Sequence, residues 1–211
     1  MRGTIRRGGR DVFRMLTVAT AVTVGLALGN GPAWAEMDST AHIVDGAGLT
    51  IEAIQQDTRI EFVPPLDGNP LTREWFHNGT AAFKISGPKA DKFKGEITVG
   101  YQVGYPASLD GKLQFEWMTP GLELELSDGP TVTLDSLIPQ AGVELEVGFG
   151  PGIESVEAAT GEISGDEGFI RMHGFHGTVT GVLGQTNIRP FVTVTSENGD
   201  SVTTYGKPWT I

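Results

Sequence analysis

Two stretches of this chain alternate apolar and polar residues with a period of two. Leu113, Phe115 and Trp117 are separated by Gln114 and Glu116. After Thr119-Pro120-Gly121, Leu122, Leu124 and Leu126 are separated by Glu123 and Glu125. A second run reads Val132-Thr133-Leu134-Asp135, and after Pro139-Gln140-Ala141-Gly142 it continues Val143-Glu144-Leu145-Glu146-Val147. Successive side chains on a strand point to opposite faces, so this period predicts two strands with one apolar and one acidic face. Asp128-Gly129-Pro130 is a turn signal between them.

A three-residue loop at that turn sets a register. Leu126 then faces Val132, Leu124 faces Leu134 and Glu123 faces Asp135. The apolar face of the first strand passes from odd to even positions at Thr119-Pro120-Gly121, and the second strand passes back between Pro139 and Gly142. In one register both switches lie at the same level. Trp117 then faces Ala141, Phe115 faces Val143, Leu113 faces Leu145 and Lys112 faces Glu146. Bulges shift side-chain parity in this way, and proline marks an interrupted ladder. The prediction is one long hairpin over residues 111–147.

Each arm has about 17 residues, a reach of roughly 55 Å at ~3.3 Å per residue. A lone hairpin is marginal in water, and in lipid its two edges would carry unpaired backbone groups. No second hairpin of this kind occurs in the chain. A ring of subunits, each giving two strands to a shared barrel, closes the edges. The apolar stripe would then face lipid: Leu113, Phe115, Trp117, Leu122, Leu124, Leu126, Val132, Leu134, Val143, Leu145 and Val147. The acidic stripe would line a wet bore.

The remainder reads as an all-β body. Phe93, Ile97, Val99, Tyr101, Val103 and Tyr105 alternate with polar residues, and further strands are expected at 80–86, 153–163, 177–183, 189–195 and 201–205. Asn198-Gly199 fits a hairpin turn between the last two. Residues 49–59 suit a strand or a helix equally. His173 and His176 have metal-like spacing for a helix, but on a regular strand they point to opposite faces, so a structural role is expected and no metal site.

Composition narrows the class. Arg2, Arg6, Arg7, Arg10 and Arg14 precede the apolar run 15–28 and an Ala33-Trp34-Ala35 cleavage signal, so residues 1–35 read as a cleaved secretory leader. Residues 1–35 hold five Arg and one Asp, and residues 36–211 hold 10 basic and 25 acidic residues, a net charge of −15. That excess argues against nucleic-acid partners and suits attraction of cations. With no cysteine there is no disulfide, thiol nucleophile or thiolate metal site. No nucleophile–base constellation or cofactor motif is legible, so neither an enzyme nor a cofactor is expected.

Several segments resemble the MspA family of porins from mycolic-acid-bearing actinobacteria. They are Leu71-Thr72-Arg73-Glu74-Trp75-Phe76-His77, Gly100-Tyr101-Gln102-Val103-Gly104-Tyr105-Pro106 and Gly150-Pro151-Gly152-Ile153. The others are His176-Gly177-Thr178-Val179-Thr180-Gly181, Arg189-Pro190-Phe191 and the stretch from Gly199 to Trp209. The resemblance implies a goblet-shaped homo-oligomer, an octamer in the best-known member. Residues 36–110 and 148–211 would form a β-sandwich-like rim, and 111–147 would give two strands to an oligomeric transmembrane β-barrel. It implies an outer-membrane location in the mycolate envelope, contact with its lipid, and diffusion of small hydrophilic solutes and cations.

The family's constriction carries two adjacent aspartates near the hairpin tip. Counted from Thr119-Pro120 these positions hold Glu125 and Leu126 here, so the pair is absent. Glu123, Glu125 and Asp128 become the candidate constriction, with Glu116, Asp135, Glu144 and Glu146 lining the pore. The alternative is a secreted, acidic β-sandwich binding module whose ribbon pairs with a partner protein and forms no channel.

Overall fold

Burial alternates along the strands as the period of two requires. In the run 72–86 the odd positions Trp75, His77, Gly79, Ala81, Phe83 and Ile85 are buried, while the residues between them from Phe76 onward are partly or fully exposed. A computed structural model describes residues 37–118, 122–126, 132–133 and 143–211. In chain order its strands are β1 (Met37–Val44), β2 (Thr50–Val63), β3 (Thr72–Ser86), β4 (Lys94–Tyr105), β5 (Ala107–Ser108), β6 (Lys112–Met118), β7 (Leu122–Leu126) and β8 (Val132–Thr133). They continue with β9 (Val143–Glu146), β10 (Gly152–Ser164), β11 (Glu167–Thr180), β12 (Val182–Leu183), β13 (Asn187–Ser196), β14 (Ser201–Tyr205) and β15 (Trp209–Thr210).

Two antiparallel sheets share one core. The first has the order β1-β2-β3-β11-β6-β9, with β7 also paired to β11 and β8 paired to β7. The second runs β10-β4-β13-β14, with β15 beside β13. Ile51, Trp75 and Phe83 of the first sheet and Ile97, Val99, Tyr101 and Val194 of the second belong to the same buried cluster. Burial of large side chains of this kind stabilises each by roughly 1.5–3 kcal/mol.

The centre of the first sheet is irregular on both sides of β3 at one level. β2 inserts Asp57-Thr58 opposite Gly79, with Asp57 at φ 54°, and β11 inserts His173-Gly174 opposite Asn78, with Gly174 at φ 62°. Both are bulges, two residues facing one. Each is held by a side chain: Asp38 Oδ2 accepts from Thr58 N at 2.6 Å, and Asn78 Oδ1 accepts from Gly174 N at 2.9 Å. The second bulge changes the buried parity of β11. Phe175 and Val179 are buried on odd positions, Met172 and Ile170 on even ones.

That bulge corrects one expectation. On a regular strand His173 and His176 would oppose each other, but here both flank the buried pair Met172 and Phe175 from the outer side. His176 Nε2 meets Glu74 Oε1 at 2.9 Å and its ring stacks on Phe76. Among the described residues no group of three or more metal-ligating side chains converges.

Other expectations hold in part. The strands foreseen at 153–163, 189–195 and 201–205 are present with ends extended by at most two residues, and 49–59 is strand throughout most of its length. Gly199 takes φ 89° and its N–H donates to Ser196 O at 2.9 Å in the turn before β14. β3 begins earlier than residue 80, β11 ends at Thr180, and β1 was not foreseen. The buried positions of β1 include only Ser39 and Ala41, too small and polar to signal alternation.

His77 lies under β3 with 1% exposure and its Nδ1 is 2.7 Å from the Tyr101 hydroxyl. Burial lowers its pKa from 6.5 to about 4, so the imidazole is neutral at pH 7. The unfolded chain then binds the proton at higher pH than the folded one. Stability is therefore full above the unfolded value of 6.5 and falls as pH drops towards about 4, where the folded state also takes up the proton. The expected loss at that site is about 3 kcal/mol. Urea unfolding at pH 7 and pH 5 should show a steeper loss for the wild type than for His77→Gln. Equal losses in the two proteins would be inconsistent with a buried neutral His77.

Candidate functional site

The base of the hairpin has the register read from the sequence. Lys112 pairs with Glu146, Leu113 with Leu145, Gln114 with Glu144 and Phe115 with Val143. The Lys112 Nζ reaches diagonally to Glu144 Oε1 at 2.6 Å instead of its direct partner. Both groups are about half exposed, so water screens the pair and it contributes little. Glu116, Glu144 and Glu146 all lie on the exposed face.

The opposite face departs from the sequence reading. Leu113, Phe115 and Trp117, assigned above to lipid, are 0%, 0% and 5% exposed inside the protein's own core. Leu145 and Val147 pack against that core, and Val143, the partner of Phe115, is half-buried. The reason is the neighbour of β6. Residues 114–118 pair along their length with 180–176 of β11, which makes β6 an inner strand of the body.

Trp117 is the centre of this attachment. Its ring stacks on Tyr101 at 5.1 Å and meets Trp75 edge-on at 5.6 Å and Phe115 at 6.2 Å. Aromatic pairs of this geometry add about 0.5–1.5 kcal/mol each beyond their burial. Gly177, the register partner of Trp117, makes room for it. A Cβ there would stand 2.6 Å from Trp117 and 2.7 Å from Trp75.

Further along the arm, β7 stays on β11. Leu122 pairs with Met172, Glu123 with Arg171, Leu124 with Ile170, Glu125 with Phe169 and Leu126 with Gly168. No residue is gained or lost between the two strands: Met118 pairs with His176, and four residues later Leu122 pairs with Met172. The switch of apolar parity at Thr119-Pro120-Gly121 therefore matches the parity switch at the His173-Gly174 bulge.

The tip register is corrected by two residues. Leu124 pairs with Val132 and Glu123 with Thr133, where the uniform register placed Leu134 and Asp135. Like charges directly opposite are unfavourable, and the observed register puts Glu123 between Thr133 and Arg171. Of the expected site residues, Asp128, Leu134 and Asp135 lie outside the described residues. For Glu123, Glu125, Leu122, Leu124, Leu126 and Val132 the strand positions above are what is described.

A family model, MspA, matches residues 45–210. Porin MspC of Mycolicibacterium smegmatis is 39% identical over 207 residues, covering 95% of this chain and 96% of the relative. Porin MspA of the same organism is 39% identical over 207 residues, with 95% and 98% covered. A solved DUF4466 family protein from Parabacteroides merdae aligns with a TM-score of only 0.20 at 12% identity, covering 73% of this chain and 44% of that one.

Removing the Trp117 ring empties the centre of the aromatic cluster. Trp117→Ala should cost about 3–5 kcal/mol in chemical denaturation. Glu116→Ala, one residue away on the exposed face, should stay within about 0.5 kcal/mol of wild type. A Trp117→Ala protein as stable as Glu116→Ala would refute the attachment of β6.

Proposed function

The chain belongs to the MspA family, and from that premise we propose that it is an outer-membrane porin and not an enzyme. Subunits close into a ring, an octamer as the resemblance implies, in which each contributes its hairpin to one β-barrel. The bore is water-filled and passes small hydrophilic solutes, with a preference for cations. Residues 1–35 direct export and are removed. The body built on the two sheets forms the rim, and the mycolate outer membrane surrounds the barrel.

The observation that carries this reading is the hairpin, with its sustained apolar and acidic alternation and no second copy within the chain. Because Leu113, Phe115 and Trp117 belong to the body core, the segment available to lipid starts beyond Met118. Residues 119–127 still supply nine positions, and an outer-membrane strand needs about 9–11. Leu122, Leu124, Leu126, Val132 and Leu134 then face lipid. Glu123, Glu125 and Asp128 form the narrow part, and Glu116, Asp135, Glu144 and Glu146 line the rest of the pore. Rings of carboxylates concentrate cations and repel anions.

Detergent-extracted mature protein added to a planar bilayer under a salt gradient should give discrete, long-lived conductance steps. Their reversal potential should show cation preference. Glu123→Gln with Glu125→Gln should lower that preference while steps persist. A folded chain that gives no steps and stays monomeric without detergent would leave the secreted binding module as the reading.

A further inference from the structure

A strand has two edges, and both edges of β7 are taken. One pairs with β8, the other with residues 168–172 of β11. In a closed barrel the first arm must pair with its own second arm on one side and with the next subunit's second arm on the other. The edge of β7 that would accept the next subunit is the edge now held by β11. The arrangement described here and the barrel are mutually exclusive.

We infer that residues 168–172 of β11 are a docking site for β7, occupied in the unassembled chain and surrendered to form the barrel. This rests on the porin reading. Three features fit the edge of β11 to that role. The parity switch of the first arm coincides with the bulge of β11, so Leu122 and Leu124 stand in register beside Met172 and Ile170, both core residues. Glu123 stands in register beside Arg171, the first basic residue after Lys112 in the sequence. The guanidinium of Arg171 lies over the Phe169 ring at 5.0 Å, on the face of β11 opposite the buried Ile170 and Met172. An acidic ribbon destined for a ring of like charges thus has a cationic neighbour until it leaves.

The boundary of the moving part follows from the packing. β6 is fixed by Trp117 in the aromatic cluster and remains with the body. β7 and β8 swing from it. Between β6 and β7 the sequence is Thr119-Pro120-Gly121, with a proline that lacks the N–H a ladder needs and a glycine free of side-chain limits on φ. Docking pairs an otherwise open strand edge between export and membrane insertion, the interval in which an unpaired edge would aggregate.

The chain has no cysteine, so a single engineered pair reports the docked state. Antiparallel partners have Cα atoms about 4.5–5.5 Å apart, inside the disulfide range of roughly 4.4–6.8 Å. Two pairs are used because adjacent register positions alternate in geometry: Leu124→Cys with Ile170→Cys, and Glu123→Cys with Arg171→Cys. Thr193→Cys with Thr203→Cys, between β13 and β14, locks the body alone. At least one hairpin pair should oxidise in the detergent-free monomer. Oxidised, that protein should lose channel insertions in a planar bilayer by about tenfold or more, and a thiol reductant should restore them. The body pair should conduct in both states. Failure of both hairpin pairs to cross-link would overturn the inference, and so would undiminished channels from the cross-linked protein. If wild type also gives no channels, the porin reading fails, while a formed cross-link would still report β7 on β11.

Discussion

Trp117 decides how much of the hairpin belongs to the body. Its ring meets both Tyr101 of the second sheet and Trp75 of the first, so one side chain of the first arm contacts both layers. Gly177 must be bare for that ring to fit, and β11 must run beside β6 for Gly177 to be there. The pairing of β6, the burial of Leu113 and Phe115, and the inward position of β11 are consequences of the same cluster. His77 and Tyr101 extend it under β3 as a neutral, buried polar pair. The arm is therefore rigid at its root, and whatever it does further out is done from a fixed origin.

Much of this was legible. Alternation excludes every odd alignment at the base from Lys112 to Phe115, because a one-residue slip would reverse every side chain, but it leaves alignments two residues apart equivalent. The fate of the apolar face was not legible. Alternation says that Leu113, Phe115 and Trp117 are covered by something apolar, and lipid and a second sheet satisfy it equally. Only the long-range neighbour, β11, distinguishes them. The tip register was misplaced because Leu124 finds an apolar partner in either alignment, at Val132 or at Leu134, so hydrophobic matching is degenerate by two. The charge of Glu123 breaks that degeneracy. The bulge at His173-Gly174 was likewise hidden, since a glycine in a strand marks either a bulge or a close approach, and β11 uses Gly174 for the first and Gly177 for the second.

The parity shift seen in the first arm has two complements. One is the bulge of β11, visible in the pairing of β6 and β7. The other is the break in the second arm that the sequence places near Pro139 to Gly142. A strand that must match two different neighbours at two times is constrained twice, and the same three residues, Thr119-Pro120-Gly121, satisfy both. Proline in the middle of a sheet is otherwise costly. Its presence here is understandable as the point where the arm stops being part of the body.

The bulge of β11 also limits how this hairpin can change in length. Adding one residue to the first arm beyond Met118 would turn each apolar position that follows against the wrong face of β11 and of the second arm together. Adding two would move the tip along by one pleat and leave every face as it was. Growth and shrinkage of the arm are thus permitted in steps of two residues, about 7 Å of strand at a time. A longer or shorter arm built on the same body differs from this one by an even number of residues between the tryptophan and the turn.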